Sequence, residues 1–84
     1  MTFAALQTIH SILENEKYKA TKHFELCRNN YIGVFDEKLD EFGSNARADR
    51  AMVGLAVTAD YDNARHDLHR IQDALEEFES HDWR

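Results

Sequence analysis

Residues 24–68 read FELCRNNYIGVFDEKLDEFGSNARADRAMVGLAVTADYDNARHDL, and two features of this stretch decide the fold. An apolar stripe at steps of three and four residues passes through Phe24, Cys27, Tyr31 and Val34, and it resumes through Val57, Tyr61, Ala64 and Leu68. Between the two halves stands Gly43-Ser44-Asn45, a helix-stopping glycine followed by two residues suited to cap a new helix. Steps of this kind keep one side of a helix against a partner helix. The stretch therefore predicts two helices folded back on each other, not paired strands.

Outward from this centre the stripe continues on the first arm through Ala20, Lys17, Leu13, His10 and Leu6, and on the return through Ile71, Leu75 and Phe78. In an antiparallel hairpin, residues at one height have numbers that sum to a constant, which a turn centred near Ser44 sets at about 88. Phe24 then faces Ala64, Ala20 faces Leu68, Cys27 faces Tyr61, Tyr31 faces Val57, Val34 faces Gly54 and Leu13 faces Leu75. Large side chains meet small ones at several levels, which is how two helices interdigitate at native density.

Capping chemistry sets the boundaries. Thr2 is placed to cap a first helix over about residues 3–42, Gly43 to end it, and Ser44 or Asn45 to start a second over about 46–79. Acidic residues crowd the end of that second helix, where the macrodipole disfavours them, so fraying is expected from Ser80 to Arg84. Asn29-Asn30-Tyr31-Ile32-Gly33 is a candidate break in the first arm, but the stripe crosses it without a skip and favours continuity. The expected architecture is all-α, one domain over residues 1–84.

Apolar residues also lie off the seam. Ile9, Ile12, Phe35, Leu39 and Phe42 widen the face of the first arm, while Ala48, Met52, Leu55, Ala56 and Ala59 form a second stripe near the turn. A single seam leaves that stripe uncovered, so these five residues are the expected protein-interaction surface. Dimerisation into a four-helix bundle is the simplest way to bury them.

The chain of 84 residues carries a formal net charge of −6 with a single cysteine and no proline. Nucleic acid and anionic membrane both call for a basic footprint, so neither is expected as a direct partner. The longest uncharged run, Met1 to Leu13, is too short and too polar to span a bilayer, and it lacks the basic segment of a secretory signal. A cytoplasmic location is expected. Cys27 falls on the seam and reads as a small buried hydrophobe.

Polar residues on or beside the seam carry what chemistry there is. His10 opposes Phe78 and Lys17 opposes Ile71, with Glu14, Glu76 and Glu77 as the acidic residues in reach. Lys17, Lys19 and Lys22 stand at the height of the acidic end formed by Asp73, Glu76, Glu77, Glu79 and Asp82, which suggests charge pairing between the arms. On the outer face of the second arm Asp62, His66, His69 and Asp73 follow at spacings of four, three and four. Such a row reads first as a solvated face, and only secondarily as a set of metal ligands. No Glu precedes a histidine by three residues, and no nucleophile triad, phosphate loop or H-E-x-x-H is present, so neither catalysis nor a cofactor is expected. The expected function is a non-enzymatic acidic protein that self-associates and binds another protein. The alternative is an acidic inhibitor that imitates nucleic acid and blocks a nuclease or polymerase, for example an accessory protein of a phage or mobile element.

Overall fold

A computed structural model describes residues 2–81. Helix α1 spans Phe3–Phe42, α2 Asn45–Met52 and α3 Ala56–Ser80, with no strand among the described residues. The hydroxyl of Thr2 accepts the Ala5 N–H at 3.1 Å, satisfying one of the donors a helix start leaves open. At the other end Gly43 adopts the left-handed conformation, φ 67°, and its N–H donates to the Leu39 carbonyl at 2.7 Å. Asn29, Asn30 and Gly33 lie inside one continuous helix.

The second arm departs from expectation. A single helix over about 46–79 is replaced by two, because the chain leaves the helix at Val53-Gly54-Leu55. Gly54 takes φ 82°, which side-chain-bearing residues resist, and Val53 and Leu55 are both extended. The break is locally satisfied: the Leu55 N–H donates to the Met52 carbonyl at 3.2 Å, and the Thr58 hydroxyl donates to the same oxygen at 2.6 Å. The Met52 carbonyl at the end of α2 thus gains two donors in place of the helical one it loses.

Both later helices pack on α1. The Tyr61 ring lies between Phe24, with centroids 5.5 Å apart, and Tyr31, at 5.1 Å, which puts it level with Cys27. Farther along, His10 stacks on Phe78 at 5.8 Å, and their numbers sum to 88. The hairpin register therefore survives the break. Cys27, Ala64, Leu68 and Leu75 are buried along the α1–α3 seam, and Ala48 and Met52 are buried from α2. No buried side-chain polar atom among the described residues lacks a hydrogen bond.

The result is a rod. Its Cα extents are 58 × 17 × 15 Å, the long axis being the length of α1 itself at about 1.5 Å per residue. The radius of gyration is 18.1 Å, against about 12 Å for a compact chain of this length.

Candidate functional site

Two regions of the rod carry features that the fold does not use up. The first is apolar. Of the five residues expected to meet a second chain, Ala48 and Met52 are 0% and 2% exposed and therefore belong to the chain's own core. The reason is the break at Gly54, which lets the short α2 turn its inner stripe onto α1. Leu55 is half-buried, and Ala56 and Ala59 are exposed. Leu55 and Ala59 line a shallow hollow with Val53, Gly54, Thr58 and Asp62. Val53 projects from this rim at 78% exposure, a residue the periodicity did not single out because it falls between seam positions. On α1, Phe3, Ile12, Leu26 and Ile32 also face solvent.

The second region lies at the open end of the hairpin, where the first turns of α1 meet the last turns of α3. Nε2 of His10 is 3.1 Å from Oε1 of Glu79 and 3.3 Å from Oε1 of Glu14. His10 and Glu14 are one helical turn apart on α1, while Glu79 arrives from α3, so two elements position the set. Stacking on Phe78, with the rings inclined by 19°, holds the imidazole plane. All three groups are reachable by solvent, with side-chain exposures of 35%, 57% and 54% for His10, Glu14 and Glu79. Lys17 lines the adjoining hollow with Glu14, Leu75 and Glu79.

The sequence offered Glu14, Glu76 and Glu77 as acidic residues in reach of His10 and Lys17 without selecting among them; the structure puts Glu14 beside His10 and adds Glu79, which was not among the three. The height rule held the signal, since 10 and 79 sum to within one of the hairpin constant. His23 was also missed as a neighbour of Cys27: its Nε2 lies 3.6 Å from the thiol sulfur, four residues back along α1.

Among the described residues, no lysine makes an ion pair between the arms. Lys19 pairs with Glu16 on its own helix at 3.6 Å, and the Lys22 ammonium sits 5.5 Å from the Tyr18 ring centroid. Asp82 lies outside the described residues. On the outer face of α3, the Asp62 carboxylate takes Arg65 at 3.4 Å, and His66, His69 and Asp73 are exposed. Among the described residues, the three metal-ligating side chains whose donor atoms lie within 4.8 Å of one another are His10, Glu14 and Glu79. Among the described residues, no helix is long and apolar enough to cross a membrane. The chain matches no protein-family model, no curated protein and no solved structure, so its function has to be argued from its own surface.

Proposed function

We propose that the chain is a non-enzymatic, cytoplasmic helical protein that self-associates and acts by binding another protein. The observation that carries this reading is the area left in contact with solvent. The chain exposes 6292 Å², whereas a compact monomer of 9.8 kDa exposes about 5,200 Å². The difference is of the order of one partner's share of a stable protein interface, about 800 Å². Large apolar side chains contribute to it, among them Val53, Phe3, Leu26 and Ile12, each more than half exposed. Burial of such groups is the main driving force for association.

A second copy is the simplest first partner, giving the four-helix bundle. Leu55, Ala56 and Ala59, with Val53 beside them, form the part of the contact nearest the turn. Sedimentation at micromolar concentration should show a dimer or larger species, and Leu55→Glu should shift the mass toward monomer. A wild-type chain that sediments as a stable monomer at that concentration overturns the self-association reading.

An acidic inhibitor that imitates nucleic acid is the second reading, and the exposed carboxylates of Asp73, Glu76, Glu77 and Glu79 along the last turns of α3 favour it. Binding through those charges would weaken steeply as salt is raised. Apolar docking would hold or strengthen.

A further inference from the structure

We propose that His10, Glu14 and Glu79 form a binding site for a divalent transition-metal ion of the zinc class, which clips the start of α1 to the end of α3. The donor set is a neutral imidazole nitrogen with two carboxylate oxygens, a composition suited to zinc and its neighbours and poorly suited to magnesium or calcium, which take oxygen ligands. The spacing fits as well. Ligand atoms about 2.0–2.1 Å from a tetrahedral zinc stand about 3.3 Å from one another. The two contacts to Nε2 are 3.1 and 3.3 Å, and the whole set falls within 4.8 Å.

Charge makes the same demand. Glu14 and Glu79 both bring a carboxylate oxygen to the one imidazole nitrogen of His10. Two negative charges brought together from separate helices favour a cation between them. Lys17 lines the same hollow, yet no ion pair within 4.0 Å joins it to either carboxylate among the described residues. Three protein ligands leave the fourth tetrahedral position to water. The stacked Phe78 does for the His10 ring what an outer-shell partner does in a metal site, fixing its orientation.

The site joins positions 69 residues apart in sequence, so metal binding should stabilise the hairpin at its open end. The test is thermal melting and calorimetric titration of the full chain with zinc chloride, with magnesium chloride in parallel. One zinc per chain should bind, and a hundredfold excess over the dissociation constant should raise Tm by roughly 11–22 °C. Magnesium should leave Tm unchanged.

Glu14→Gln and Glu79→Gln should each abolish the zinc-dependent rise. Both positions face solvent, and the melting curve of each variant without metal shows whether the fold is intact. A double variant, His66→Ala with His69→Ala, should retain the full rise. The proposal is overturned if zinc leaves Tm unchanged, if the rise survives Glu79→Gln, or if it disappears in the His66/His69 variant instead.

Discussion

Gly33 and Gly54 show how one residue type serves opposite ends in this chain. Gly33 lies within α1 at an exposed position, and a Cβ built there meets nothing within 4 Å. Its backbone is helical, so Gly33→Ala should raise stability by about 0.5–1 kcal/mol through the lost freedom of the unfolded chain. Gly54 also has open space around it, but its φ of 82° strains any other residue. Gly54→Ala should therefore destabilise by about 1–2 kcal/mol. Urea denaturation of the two variants is the check, and shifts of the same sign would contradict the backbone assignment at Gly54. In the core, Leu68 is 7% exposed, and Leu68→Ala should cost about 2–5 kcal/mol. Glu79→Ala, in metal-free buffer, removes a half-exposed contact to His10 and should change stability by no more than about 1 kcal/mol.

At the scale of elements, the seam was legible because its period matches the helix and every apolar position on it lies at least partly buried in the structure. The register followed from the turn alone. What the periodicity concealed is the break between α2 and α3, and the cause is specific: Gly54 falls at a seam height opposite Val34, where a small residue reads as a packing choice. The Thr58 hydroxyl that replaces the helical partner of the Met52 carbonyl is four residues farther on, and a threonine there is equally at home on a helix surface. The candidate site was legible in half. His10 stood out as a polar residue on an apolar seam, whereas Glu79, within one of its height by the hairpin rule, was read only as part of an acidic helix end.

The same break makes α2 the weakest element. Eight residues are too few for an isolated helix to persist in water, so α2 depends on the burial of Ala48 and Met52 against α1. Met52→Ala should melt α2 selectively. Hydrogen exchange should then show fast amides over residues 45–52, with protection over Cys27 and Leu68 retained. Equal loss of protection throughout the chain would mean that α2 and α3 unfold as one unit.

At the scale of the whole molecule, the rod's shape decides how copies can meet. One long face, 58 Å by about 15 Å, offers roughly 900 Å² to a partner, close to the 800 Å² per side of a standard interface. An end offers far less, since its cross-section is only 17 × 15 Å. Association should accordingly be side by side, with four helices in cross-section and little gain in length. Small-angle scattering should find the dimer nearly as long as the monomer's 58 Å Cα axis, with its mass doubled and its thickness increased. A dimer of doubled length would place the contact at the rod ends and rule out the bundle. Leu26→Lys tests the faces, because Leu26 is 58% exposed on α1 and lies away from the rim formed by Val53 and Leu55. If Leu26→Lys yields a folded monomer while Leu55→Glu remains dimeric, the bundle is built on the outer face of α1 and not around the turn.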